Sequence, residues 1–308
     1  MNAIEVENIT KEFVLRFGLK KIIALEQLNL SVKKGEVFGY IGPNGAGKTT
    51  TLKILMGLIM PTRGNATIFG EPIRSIKVKE RIGFLPEGPY FYSYLTAGEF
   101  LLFYGKLFGY DKLYLSKKID ELLDLVELKP KKNTPLRHFS KGMLQRIGLA
   151  QALINDPDLV VLDEPMSGLD PLGRARVRDI ILQLRDRGKT ILFSSHILSD
   201  VETICSRIGI ISKGKLRETG TIDSLLKNNI KEIEIVAVDL NSEEIQNIKK
   251  IGAKVVNLND TIMITAPDQI KRDAILGIVS AKSGRLQSVE NRRETLEDLF
   301  MKKYGTSS

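Results

Sequence analysis

Apolar residues open the chain in short runs. "AIEVENI", "LNLSV" and "EVFGYIG" each have the length of a strand, with polar or turn-forming residues between them. Residues 48–59 carry helical spacing, and "GNATIFG" and "RIGFLPE" predict two further strands. From Thr96 to Leu128 the pattern becomes helical. Thr96 and Glu99 form a capping box ahead of "FLLFYGKLF", each side chain answering a free backbone N–H of the other. "SKKIDELLDLVEL" then spaces its apolar residues three to four apart, and another helix is expected after Ser140.

The next runs differ in kind. "DLVVLDEP" is a fully apolar strand that ends in two acids, and "KTILFSSH" repeats the design. Such runs suit a parallel sheet covered on both faces. Strands alternating with helices predict an α/β fold. After about residue 225 the register changes. "KEIEIVAV", a helix over 242–251, "AKVVNL", "TIMITA", a helix over 269–282 and "RLQSVE" make a split β-α-β-β-α-β unit, followed by a helix over 295–303. The expected organisation is an α/β domain over 1–224, with a helical subdomain at about 88–155, and a small α+β domain over 225–308.

Composition narrows the function classes. The chain has 308 residues, 43% of them apolar, enough for a buried core. The formal net charge is +9, of which +1 falls in residues 225–308 and +8 in the rest. A basic surface fits nucleic acid, an anionic membrane face or a phosphate ligand, and charge alone does not choose. Cys205 is the one cysteine, so no disulfide forms within the chain. No stretch free of charged residues exceeds 11 residues, as in Val37–Gly47, and the start "MNAIEVENIT" carries no leader pattern. A role at a membrane is therefore expected to run through a partner.

The chemistry is concentrated in three places. "GPNGAGKTTTLK" begins at Gly42 and fits G-x-x-x-x-G-K-[ST] between an apolar strand and a helix. Gly42, Gly45 and Gly47, with Pro43, Asn44 and Ala46 between them, allow a tight loop whose N–H groups converge on phosphate oxygens. Lys48 reaches the β- and γ-phosphates, Thr49 offers a hydroxyl to Mg²⁺, and Thr50 bonds the α-phosphate. Asp163 and Glu164 end the strand "LVVL" at the sheet edge where α/β folds bind ligands. Asp163 is expected to hold Mg²⁺ through water, and Glu164 to orient the attacking water. "FSKGMLQR" starts a helix at Ser140, and a helix start with open N–H groups is an anion site.

In order and spacing these motifs resemble the ABC ATPase family over residues 1 to about 224. "GPNGAGKTTTLK" is similar to its Walker A, "LVVLDEP" to its Walker B, "MSGLD" at 166–170 to its D-loop and "SSH" to its switch histidine, here His196. "FSKGMLQR" resembles the signature, usually LSGGQ. The resemblance implies a P-loop ATPase core and an ATP·Mg²⁺ site shared between two copies. Ser140, Gly142 and Met143 would receive the γ-phosphate of ATP held by the other copy, with Asp170 of the D-loop nearby. His196 would contact the γ-phosphate from its own side. By position Phe13, rather than Phe17, resembles the residue that stacks on adenine; a core phenylalanine is the rival reading.

This sequence departs from the family pattern at three positions. Glu87 stands where the Q-loop has glutamine; it can still meet Mg²⁺ or its waters but cannot donate a hydrogen bond. Lys141 replaces the first signature glycine, and Met143 its glutamine. These substitutions resemble the exporter branch that moves drugs, lipids or polysaccharides. Phe91, Tyr92 and Tyr94 are open to two readings, as core or as a patch that touches a membrane subunit. The function implied is a transport ATPase that pairs with a second ATPase subunit and an integral membrane permease at the cytoplasmic face. The rival is an ABC ATPase acting on ribosomes or nucleic acid. A single cassette, and about 90 residues between Walker A and signature without heptads, argue against that rival.

Overall fold

The computed structural model describes residues 1–15, 20–226, 230–258, 261–281, 284–293 and 295–304. It divides into two units, Met1–Ile222 and Asp223–Ser308.

The first unit begins with β1 (Asn2–Leu15) and β2 (Lys20–Lys33), paired antiparallel. β3 (Val37–Ile41) leads through the glycine-rich loop into α1 (Lys48–Leu55). β4 (Arg63–Ile68) and β5 (Glu71–Pro72) follow, then α2 (Ile76–Glu80) and β6 (Ile82–Leu85). Three helices come next, α3 (Ala97–Leu107), α4 (Lys112–Leu125) and α5 (Lys141–Ala152). The unit closes with β7 (Leu159–Asp163), α6 (Pro171–Asp186), β8 (Thr190–Ser195), α7 (Leu198–Ile204), β9 (Arg207–Ser212) and β10 (Lys215–Thr221).

Two sheets share the core of this unit. One is antiparallel in the order β2-β1-β4-β5, and the other runs β10-β9-β3-β8-β7-β6. In the second sheet β9, β3, β8, β7 and β6 are parallel. β3, β7 and β8 are buried along their whole length, which explains why their sequences lack alternation. Ile4, Leu28 and Ile68 from the first sheet join Phe38, Tyr40 and Val161 from the second, with Leu52 and Leu55 of α1 in the same cluster. Each such side chain contributes about 2 kcal/mol by leaving water.

Helix α1 is shorter than the expected 48–59. It stops at Leu55 because Gly57 takes a left-handed φ of 64°. The Gly57 N–H then donates to Ile54 O, and that of Leu58 to Lys53 O, closing a Schellman cap. The capping box is present: the Glu99 N–H donates to Thr96 Oγ1 at 3.3 Å, and the Thr96 N–H to Glu99 Oε2 at 2.9 Å.

α8 (Ile222–Leu226) starts on the last residue of the first unit; the second unit then contains β11 (Ile230–Val238), α9 (Ser242–Lys250), β12 (Lys254–Leu258), β13 (Thr261–Ala266), α10 (Gln269–Ala281), β14 (Arg285–Arg293) and α11 (Leu296–Tyr304). Its antiparallel sheet runs β12-β13-β11-β14. Ile233, Ile235 and Ala237 of β11 face one side and form a core with Ile248 of α9 and Ile275 of α10. Among the described residues no helix is long and apolar enough to cross a membrane.

Candidate nucleotide site

The loop between β3 and α1 makes a cradle. Gly47 caps α1 with φ 112°, and no side chain covers the helix start, so the first N–H groups of α1 point outward. A Cβ at Gly47 would come within 2.7 Å of Leu25 Cδ2 and 2.9 Å of Ala24 O, so only glycine allows this path. Thr51 fastens the loop from below: its Oγ1 donates to Gly47 O at 3.0 Å and meets the Tyr40 hydroxyl at 3.1 Å. Full burial pushes the Tyr40 phenol up, partly offset by that hydrogen bond, so it stays neutral.

A cavity of about 300 Å³ opens over this loop, lined by Ala24, Pro43 to Thr50, Glu87 and Glu164. Lys48 and Glu164 meet at its floor. The Lys48 ammonium donates to Gly42 O at 2.6 Å and Pro43 O at 3.3 Å, and lies 3.1 Å from Glu164 Oε1. That last contact is an ion pair by distance only, because Oε1 accepts no aligned hydrogen bond. Glu164 Oε2 is 2.8 Å from His196 Nδ1. Glu164 also holds a left-handed φ of 51°, which costs a non-glycine residue about 1 kcal/mol. The turn after β7 therefore aims the carboxylate at the cavity at some expense.

Asp163 lies one residue earlier and is buried. The Ser194 hydroxyl donates to its Oδ1 at 2.7 Å, and the Glu164 N–H donates to Ser194 Oγ at 2.9 Å. Ser194 on β8 thus fixes both acids of β7. Neither Ser194 in this role nor Ala24 at the cavity rim is marked by any local pattern.

The remaining candidates lie elsewhere. Ser140 caps α5, its Oγ accepting from the Met143 N–H at 3.3 Å. Asp170 caps α6, its Oδ1 accepting from the Gly173 N–H at 3.0 Å. Ser140, Gly142, Met143 and Asp170 line a second cavity, of about 320 Å³, together with Gly168 and Leu169. Within one chain the two halves expected of the shared site thus line separate cavities. Phe13 is 38% exposed on β1, with Lys11 Nζ 5.0 Å from its ring centre, and does not line the first cavity. Phe17 lies outside the described residues. Phe91 packs against Phe100 at 5.5 Å between ring centres, while Tyr94 is exposed.

A P-loop opening from the parallel strand β3, with paired acids at the end of β7, separated from β3 by β8 in the same sheet, defines a P-loop ATPase. Comparison with known proteins places the chain within that class. Residues 25–167 match the ABC transporter family model. An uncharacterised ABC transporter ATP-binding protein of Synechocystis is 44% identical over 98% of this chain and 84% of the relative. The bacitracin transport ATP-binding protein of Bacillus licheniformis is 38% identical over 96% of both chains. A dimeric post-hydrolysis structure of the cassette MJ0796, bound to ADP and Pi, superposes with a TM-score of 0.64 at 27% identity, over 71% of this chain and 98% of the other. The chain belongs to the ABC transporter family and is an ATP-binding, ATP-hydrolysing subunit. Subunits of this family dimerise and pair with membrane permeases on their cytoplasmic side.

Proposed function

We propose that this chain powers an exporter: it binds ATP·Mg²⁺ in the Gly42–Thr50 cradle, closes on a second copy of itself and drives a separate integral membrane permease from the cytoplasmic face. The reading is carried by one arrangement, Glu164 held between Lys48 and His196 at the cavity floor. An incoming β/γ-phosphate draws Lys48 to itself and releases Glu164 Oε1. The freed carboxylate orients water for in-line attack, and His196, tied to Glu164, faces the γ-phosphate. Phe13 serves adenine from the β1 side.

The donor set fits Mg²⁺. The Thr49 hydroxyl and the Asp163 and Glu87 carboxylates are hard oxygen donors, and Thr49 and Glu87 line the cavity. When bound, the ion neutralises charge on the phosphates. Asp163, held by Ser194, would act through water. Ser140, Gly142, Met143 and Asp170 complete the site of the partner copy, since in their own chain they line a different cavity. The 225–308 domain is an accessory, dimerising or regulatory module. No nucleic-acid partner enters this scheme.

The export assignment is supported by Lys141 and Met143 in the signature and by the bacitracin transport relative. Isolating the chain from native membranes tests it. The expected result is co-purification with an integral membrane protein that raises ATP turnover. Recovery with ribosomes or nucleic acid instead would replace the reading.

A further inference from the structure

Lys141 is placed against local preference. It is the first residue of α5, where the helix dipole is positive and a cation is unfavourable unless an anion arrives. No acid stands in the first turn of α5 to compensate it. The two other cations lining the same cavity are occupied: Arg146 donates to Val126 O at 2.7 Å, and Arg146 and Arg176 share Glu127 at 3.6 and 3.4 Å. Lys141 has no carboxylate partner among the described residues. Its ammonium instead lies over Gly168, where a Cβ would collide with it. Gly168 is at φ 68°, so the backbone favours glycine there, and the absent side chain leaves room for the end of the lysine. The cavity rim therefore carries an uncompensated, flexible cation beside the Ser140 cap.

We propose that Lys141 is a phosphate-binding residue of the shared site. It adds a charged contact to the γ-phosphate that the start of α5 receives from the partner's ATP, and it rests on Gly168 when no phosphate is there. The inference rests on the reading that Ser140 acts across the dimer. A lysine at this position makes closure depend on the phosphate's charge as well as on backbone N–H groups. An ammonium is a compact point charge on a four-carbon stem, suited to moving between two such positions. The consequence lies in dimer formation rather than in binding of ATP to the P-loop of its own chain.

The test uses the full chain with Glu164→Gln, which isolates closure from hydrolysis. ATP-dependent dimerisation is followed by light scattering across a salt series. Lys141→Met, which keeps the stem and removes the charge, is expected to raise the ATP concentration for half-dimerisation about tenfold, the loss of one charge-assisted hydrogen bond. Its salt dependence should be shallower. Lys141→Arg should restore both, which a purely structural role would not predict. Nucleotide binding by dilute monomer should not change. Equal ATP demand and equal salt dependence in Lys141→Met would overturn the proposal. A Ser140→Arg control that dimerises as well as its parent would instead sink the shared-site reading, and the proposal with it.

Discussion

Lys48 and Glu164 form a buried ion pair, 3.1 Å from Nζ to Oε1, each side chain 6% exposed. Two charges removed from water persist only when they satisfy one another or other dipoles. Here the cation has two carbonyls as well, and the carboxylate has His196. The pair thus couples the phosphate-binding lysine to the water-orienting acid before nucleotide arrives.

Glu164→Gln should abolish turnover while ATP still binds, because the catalysis is positioning and electrostatics. The dimer should persist with ATP and Mg²⁺, and light scattering reads it directly. An active variant would remove Glu164 from the mechanism.

Lys48→Ala should weaken ATP binding in a nucleotide titration, since a cation facing two phosphates is lost. It should also destabilise the nucleotide-free chain by about 3 kcal/mol in urea unfolding, because Glu164 is left buried without its cation. Lys48→Ala with Glu164→Gln should recover part of that loss. Wild-type affinity in the single variant would contradict the P-loop assignment.

Mixing two inactive variants tests the shared site. Ser140→Arg blocks the signature and Lys48→Ala blocks the cradle. A mixed dimer holds one site in which both halves are intact, so some ATP turnover should return. Crosslinking Ser140→Cys to a cysteine in the partner's Gly42–Gly47 loop, with Cys205 removed, provides the second measurement. Crosslinks confined to one chain, together with no rescue, would exclude action across the dimer.

Asp156 gives a pH dependence. Burial by itself raises its carboxyl, but the Lys189 hydrogen bond and the charges of Lys118 and Lys189 outweigh this and hold it below the usual range. Lys118 and Lys189 lie 3.5 and 3.1 Å away, one on α4 and one just before β8. A carboxylate lowered in the folded state stabilises above its unfolded value of about 4 and stops doing so as pH falls through the folded value. The stability gap between wild type and Asp156→Asn should therefore be full at neutral pH and close below about pH 4. Unfolding midpoints across pH measure it, and a gap independent of pH would contradict the assignment.

The sequence by itself determined what is local. The glycines from Gly42 to Gly47, Lys48 and the helix after them belong to one continuous stretch, so their spacing alone specifies a strand, a phosphate-sized loop and a helix start. The Thr96–Glu99 box and the Ser140 cap each join residues only three positions apart and are legible for the same reason. β7 and β8 announce burial on both faces by their unbroken apolar runs, whereas the burial of β3 along its whole length is seen only in the structure. The pattern does not single out β9 or the edge strand β10, and it extends α1 past the turn at Gly57, because apolar spacing continues while the backbone does not. Only the tertiary structure decided the site's floor. The order β9-β3-β8-β7 brings β7 and β8 side by side, so that Ser194 can hold Asp163 and His196 can meet Glu164. Glu164 reaches Lys48 across 116 positions of chain. Strand order is set by how whole surfaces pack, and no window of residues encodes it. For the same reason, Phe13 outside the cradle, Ala24 at its rim and the Lys141 ammonium on Gly168 are facts of packing alone.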